Sequence, residues 1–520
     1  MKLFTIGDSI SQGFMSNAAA RTDLSYSTLL AKAFGLKPDC RNTNGANYFY
    51  PEWKAHGVKQ NIEAILRHLE TKYGSNITRS QWLSTRPLQS ISSVLQRSKH
   101  YYEQGEGAAD RSYHHSDIDY FHNVAIQGFS IADAWAVKPS LCEKQIAKVN
   151  QRQQPKGDFL KWVGNAVLQK IFPERQGANA AFHRIALKVL EPNLECPKNY
   201  SQMDWLEFHA KNEGVENLLL WLGNNNALGT VLDFKIRQTP NDPDILVHKL
   251  SQPERWEKGW NLWHPRDFEL EYAELLDRVD SRMENNQYAD WKVFLGTIPM
   301  VTVIPFAKGV GETTEVKRGD ETWIYYEYYT YFPFEAEFAI QTGKYLTMQD
   351  VIHIDDCILE YNKTIQKLVD EKNQQHGQQR YFIVHLSQHF SELAYKRNNG
   401  KPTYKFPDDF HFRYPPVNTK YYHADERGNL KQGGIFSLDG VHPSAITQGL
   451  IAHEFLKTLR YAGVHPIAEL NWAEIFASDT LYTQPIKIMQ EIYRKDWLAM
   501  RLIKFVEQFR QTPQEEPSLP

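Results

Sequence analysis

Lys2-Leu3-Phe4-Thr5-Ile6-Gly7-Asp8-Ser9 opens the readable part of the chain, and its form decides the fold. A short apolar run breaks off at Gly-Asp-Ser. A run of that length bounded by turn residues fits a buried parallel strand that ends in a polar loop. The same form recurs. Asn123 to Ile126 leads into Gln127-Gly128, Asn217 to Leu222 into Gly223-Asn224-Asn225, Trp291 to Leu295 into Gly296, and Arg380 to Leu386 into Ser387. Helical spacing lies between these runs. Asp355 to Lys372 carries Ile358, Leu359, Ile365 and Leu368 on one face, and Ile446 to Tyr461 follows Pro443. Strands alternating with helices predict an α/β fold around a parallel sheet, with function gathered at the carboxyl ends of the strands. Ser9, Gly128 and Asn225 each stand just after a strand candidate.

The stretches between the runs are long, and structureless loops of such length are unusual in a compact domain. They are therefore expected to be largely helical insertions, at about 31–115, 131–215, 227–288 and 305–350, within a domain spanning 1–465. Gln60 to Tyr73 and Asp158 to Ile171 have helix-like apolar spacing. A helical extension is expected over 466–510, with an amphipathic helix at roughly Pro485 to Phe509. The polar, proline-rich end at 511–520 is expected to fray.

Composition narrows the function. The 520 residues include 59 basic and 62 acidic side chains, a net charge of −3. Nucleic acid as the main partner would call for a basic surface. Four scattered cysteines (Cys40, Cys142, Cys196 and Cys357) form no CxxC pair, so neither a disulfide framework nor a structural zinc site is expected. The longest apolar stretch, Val293 to Ala307, is broken by Gly296, Pro299 and Pro305 and is too short to span a membrane. Met1 runs straight into the first strand, leaving no room for a signal peptide, and a cytoplasmic location is the expectation.

The chemistry-bearing residues fall in three blocks, Gly7-Asp8-Ser9, Gly223-Asn224-Asn225 and Asp439-Gly440-Val441-His442. A serine hydroxyl needs an adjacent base to act as a nucleophile, and His442 supplies one that titrates near neutrality. Asp439, three residues earlier, is placed to hold the far ring nitrogen. Each block alone has a plainer reading: a turn tripeptide, a polar loop, and a turn before a proline that opens a helix.

Taken in order, the blocks resemble those of the SGNH, or GDSL, hydrolase superfamily, named for a Ser, a Gly, an Asn and a His in four separated segments. Gly7-Asp8-Ser9-Ile10 is similar to the first, with Ile10 where Leu is common, and Asn123 to Gly128 to the second. Gly223-Asn224-Asn225-Asn226 is similar to the third and Asp439-Gly440-Val441-His442-Pro443 to the last. Asn226 replaces the usual Asp, which bears on support of the loop rather than on chemistry. Tyr361-Asn362 in a helix, followed by the strand Tyr381 to Leu386, looks like the family's helix and last core strand. The resemblance covers the core segments and not the insertions. It implies a flavodoxin-like three-layer α/β/α sandwich and a serine esterase or lipase acting on carboxylic esters: lipids, lysophospholipids or short acyl esters. Ser9, His442 and Asp439 would be catalytic, and Ser9, Gly128 and Asn225 would form the oxyanion hole, with no cofactor and no metal. An acyltransferase on the same site, or a regulated or non-catalytic interaction protein, are the alternatives.

Several rivals stand beside this reading. Gly128-Phe129-Ser130-Ile131-Ala132 partly matches a Gly-x-Ser-x-Gly elbow, though Ser130 reads better as a helix cap. His385 and His389 have ligand-like spacing, but on a segment that reads as a strand entering a loop. His353, Asp355 and Asp356 read as a helix-start signal, and His114-His115 as part of a polar loop. The aromatic stretch Trp323 to Phe334 reads as a hairpin or loop covering the core rather than a pocket wall.

Overall fold

The computed structural model describes residues 2–488, apart from 109–117, 153–177, 332–335, 414–416, 418–421, 425–429 and positions 44, 79, 82, 83, 85, 194 and 320. In chain order the elements used below begin with strand β1 (Leu3–Gly7) and helices α1 (Ser9–Gln12), α2 (Tyr26–Ala33), α3 (Ile62–Tyr73), α4 (Arg86–Glu103) and α5 (Gln202–Asn212). Then come β2 (Asn217–Trp221), α6 (Asn225–Asp233), α7 (Pro265–Met283), β3 (Lys292–Gly296), β4 (Ala307–Arg318), β5 (Glu321–Tyr331) and β6 (Tyr345–Thr347). The last four are α8 (Met348–His376), β7 (Tyr381–Val384), α9 (Leu386–Leu393) and α10 (Ala445–Tyr461).

The four core strands are parallel and lie in the order β1-β2-β3-β7. Beyond β1, the segment His122 to Ile126 completes an edge. Thr5 N–H donates to His122 O, Val124 N–H to Thr5 O and Ile126 N–H to Gly7 O, at 2.8, 3.1 and 3.0 Å. Counted by position in the chain, the strands therefore run 2-1-3-4-5. The strands are buried apart from half-buried Lys292 and Ile383, as expected for a sheet covered on both faces.

Register assigns the two faces. Phe4 pairs with Leu218 and Gly7 with Trp221, so Phe4 and Trp221 point to opposite sides. Phe4 meets His209 of α5 at 4.6 Å between ring centroids. Trp221 meets Tyr26 of α2 at 6.0 Å and Phe455 of α10 at 6.5 Å. Helices α5, α7 and α8 pack in succession on the first side, with Phe268 stacked on Tyr361 at 4.0 Å. Helices α2 and α10 cover the other. The result is three layers, helix on sheet on helix. Both α5 and α7 fall inside stretches read from sequence as insertions, yet they pack in the layer over the sheet.

Helix α8 starts at a Thr347–Asp350 capping box, earlier than the sequence spacing suggested, and runs to Gly377 at φ 64°. The stretch read as a helical insertion at 305–350 contains instead an antiparallel sheet, β4-β5-β6, rich in Tyr and Thr. The described part of the aromatic stretch is its β5 strand, the hairpin outcome. Helices α3 and α4 form a satellite core of Leu66, Leu69, Ile91 and Leu95 with Leu481, Ile486 and Ile488. Residues 158–171, 114–115 and 489–520 lie outside the described residues, so the helix expected at 158–171, the polar loop at 114–115, the rest of the helix expected to Phe509 and the frayed tail have no counterpart to compare. Residues Pro485 to Ile488 are described and are not helical. Among the described residues no helix is long and apolar enough to cross a membrane.

Candidate active site

Ser9 is the first residue of α1, directly beyond the carboxyl end of β1, and it is buried at 5% exposure. The preceding Asp8 caps the helix: its carboxylate accepts the Ile10 N–H at 3.0 Å. The turn is tight, since a Cβ on Gly7 would stand 2.2 Å from Ser11 Oγ. Asp8 is fully buried and also accepts from Asn224 Nδ2 at 2.8 Å. Burial pushes its pKa up to about 6, against the opposing pull of Asn224, the Ile10 N–H and His442.

Asp439 and His442 meet, as their spacing predicted. Asp439 Oδ2 lies 2.8 Å from His442 Nδ1. The same carboxylate accepts the N–H groups of Asn17, Val441 and His442 at 2.7, 2.9 and 2.8 Å. Burial opposes its charge, but the His442 imidazole and these N–H donors outweigh it and hold the pKa down at about 2. Ser16 and Asn17, at φ 50° and 64°, form a left-handed corner that delivers the Asn17 N–H. Ser437 Oγ, 3.3 Å from Asp439 Oδ1, accepts the Ser16 N–H at 2.9 Å. His442 is carried to the α1 segment: its ring packs on Phe14 at 4.6 Å, and the Phe14 N–H donates to Ser9 O at 3.0 Å. Among the described residues Ser9 Oγ makes no hydrogen bond, and the Ser9–His442 bond is not formed. Such bonds are often long before substrate binds.

Gly128 follows the edge segment at φ 80°. Its N–H, like that of Ser9, has no acceptor among the described residues. Its neighbour Gln127 is tied back to α1 by an N–H donated to Gln12 Oε1 at 3.1 Å. Asn225 opens α6 beyond β2 and gives one amide hydrogen to Phe129 O at 2.9 Å; Asp8 Oδ2 lies 3.5 Å from the same nitrogen. Asn226 is fully buried and its Oδ1 accepts the Ile131 N–H at 3.2 Å, bracing the loop that follows Gly128. Two backbone N–H groups, those of Ser9 and Gly128, thus stand without an acceptor among the described residues, whereas the Asn225 amide is already engaged.

Sequence reasoning gave Asp8 and Asn224 no part, yet together they fix the turn beneath Ser9. The available signal was the Gly-x-x-Asn run read as a polar loop. Ser130, the rival nucleophile, donates from Oγ to Asp133 Oδ2 at 2.7 Å, and its backbone N–H donates to the same oxygen. It does not cap the following helix, whose N-cap is Ala132. His385 precedes a helix, α9, rather than a loop, and His389 pairs with Glu454 at 3.0 Å. His353, Asp355 and Asp356 sit within α8 and diverge. His353 reaches Gln238, Asp356 reaches Arg318, and Asp355 is locked by Thr302, Tyr325 and Arg397.

The described residues include one cluster with metal-ligand spacing, His122, His209 and Glu213. It lies at the amino end of the edge segment, away from Ser9. His122 Nδ1 accepts the Phe49 N–H at 2.8 Å, which puts the ring proton on the Nε2 facing Glu213 at 3.3 Å. A protonated nitrogen has no lone pair for a metal. Burial depresses His122 to about 4. The cluster is a buried hydrogen-bonded knot between the edge segment and α5.

No model of a known protein family and no curated protein sequence matches the chain.

Proposed function

We propose that this protein is a serine ester hydrolase of the SGNH/GDSL type, with a flavodoxin-like core. One observation carries the reading: the 2.8 Å Asp439–His442 pair packs against the α1 segment that begins at Ser9. The strand order 2-1-3-4-5, the order of flavodoxin-like sheets, supports it from the side of the fold. So does Asn362, which accepts the Ile298 N–H at 2.8 Å and donates to Ile298 O at 2.9 Å, clamping the loop beyond β3.

In this mechanism Ser9 Oγ attacks the ester carbonyl carbon while its proton passes to His442 Nε2. Asp439 holds Nδ1–H and stabilises the imidazolium. The N–H groups of Ser9 and Gly128 and the Asn225 amide receive the oxyanion. Collapse breaks the C–O bond, and His442 gives its proton to the leaving alcohol. Water, deprotonated by His442, then attacks the acyl-enzyme and releases the acid and Ser9. The substrates are carboxylic esters of lipid, lysophospholipid or short-acyl type.

The test is fluorophosphonate labelling together with a panel of esters graded in acyl length. A phosphonyl adduct on the Ser9 peptide, lost in Ser9→Ala along with hydrolysis, is the expected result. Full labelling of Ser9→Ala, with loss in Ser130→Ala, would overturn the assignment.

A further inference from the structure

A cavity of about 470 Å³ opens between α3, α4 and the loop after α1, and neither Ser9 nor His442 lines it. That volume lies in the usual range for small-molecule sites. Its walls differ in character. One is apolar: Met15, Leu24 and Ala445 line the cavity and form a small cluster of their own, separate from the main core. The other is polar, with Arg21, Arg67, Arg97, His56 and His68 on the lining beside Glu63 and Asp479.

The carboxylates nearby do not neutralise this wall evenly. Arg21 is held by Asp23 at 3.0 and 3.1 Å. Arg67 is held by Glu63 at 2.8 Å and by the Thr480 and Gln484 carbonyls. The Asp479 carboxylate is turned to the Ile446 and Tyr482 N–H groups, both at 3.0 Å. Arg97 remains. Its Nε has only the Ser93 carbonyl, at 3.4 Å, and its terminal nitrogens have no acceptor among the described residues. His56 and His68 share the lining with it: burial and then the Arg97 charge lower the proton affinity of His56, and burial, then Lys72, then Arg97 lower that of His68. The cavity thus pairs an apolar floor with an unopposed guanidinium and two imidazoles.

We propose that this cavity binds an amphiphilic carboxylate, its alkyl chain on Met15, Leu24 and Ala445 and its carboxylate on the Arg97 guanidinium. The guanidinium fork suits a carboxylate's two oxygens. The site stands one wall from the catalytic candidates, because Ser16 and Ser437 line the cavity and also support Asp439. It is separate from the proposed ester site and does not depend on it.

Isothermal titration of the full chain with hexanoate, hexanol and inorganic phosphate tests the proposal. Hexanoate should bind up to about fivefold more tightly than hexanol, the preference an exposed guanidinium–carboxylate pair gives. Arg97→Gln should remove that advantage, and Arg97→Lys should restore part of it. Arg97 is exposed, so the variant fold should be intact by circular dichroism. Ala64→Phe, which fills the cavity without altering charge, should block both ligands. Ser9→Ala should leave binding unchanged. Equal binding of hexanoate and hexanol, or insensitivity to Arg97→Gln, overturns the proposal. So does phosphate binding as tightly as hexanoate, or loss of binding in Ser9→Ala.

Discussion

Replacing Asp439 with Asn changes one atom and should damage both stability and chemistry. The carboxylate accepts four N–H groups: those of Asn17 and the His442 ring on Oδ2, and those of Val441 and His442 on Oδ1, all between 2.7 and 2.9 Å. An amide has one oxygen. Whichever way it is turned, its NH₂ faces two of these donors. Leaving two buried donors unpaired costs about 1–3 kcal/mol each, so the variant should lose about 2–6 kcal/mol. A second route gives a similar figure. The Asp439 pKa falls from 3.8 to about 2 on folding, which is worth about 2 kcal/mol. Because the folded value is depressed, this stability is present above about pH 4 and is lost as pH falls through about 2. Thermal unfolding should therefore show a lower midpoint for Asp439→Asn at neutral pH, and a flatter acid limb between about pH 4 and 2. Labelling and ester turnover should drop by about 10²–10⁴, because the amide no longer holds the His442 tautomer. An unchanged neutral midpoint with an unchanged acid limb would refute the four-donor accounting. Near-normal turnover would refute the role of the pair.

Other outcomes follow from the same geometry. Ser9→Ala should abolish turnover while keeping the unfolding free energy within about 0.5 kcal/mol of the parent, since Ser9 Oγ makes no bond among the described residues. Asn225→Ala should lower kcat by about 10²–10³ with little change in KM; a change confined to KM would remove Asn225 from the oxyanion role. Asn224→Ala and Asn226→Ala should be read in stability first, because each strands a buried partner, Asp8 Oδ2 and the Ile131 N–H respectively; unfolding midpoints equal to the parent would count against both bonds. Gly128→Ala should cost about 1–2 kcal/mol and reduce turnover, since the residue sits at φ 80° and its Cβ would press on Phe182 at 3.2 Å; an unaffected enzyme would mean the Gly128 amide is not used.

The strands were legible because each is a short apolar run cut off by Gly, Asp or Asn, and the observed ends differ from the reading by one or two residues. His442 and Asp439 were legible because their interaction is local, three positions apart. What stayed hidden depends on distant partners. Nothing in Ser16-Asn17 announces a left-handed corner that clasps Asp439, 422 positions away. Asn224 looks like loop polarity until Asp8 is found beneath it. The length of the 305–350 stretch suggests a helical insertion, yet within it Trp323 to Phe334 already reads as a hairpin or loop, and the Tyr- and Thr-rich run forms an antiparallel sheet.

The 2-1-3-4-5 strand order has a consequence for how the molecule comes into being. Strand β1 lies inside the sheet, yet its neighbour β2 begins at Asn217, and the clasp on its turn comes from Asp439. A ribosome releases β1 long before either partner exists. The first strand meets the edge segment at His122–Ile126 only after more than a hundred residues have emerged and β2 only after more than two hundred, and His442 follows Ser9 by more than four hundred. Pairings of such long sequence separation fold slowly and leave edges open to aggregation. Chaperone dependence during synthesis, with refolding from denaturant slower than in domains of local topology, is the behaviour this wiring imposes. Rapid refolding of the isolated chain at micromolar concentration would show that β1 finds its neighbours by a shorter route.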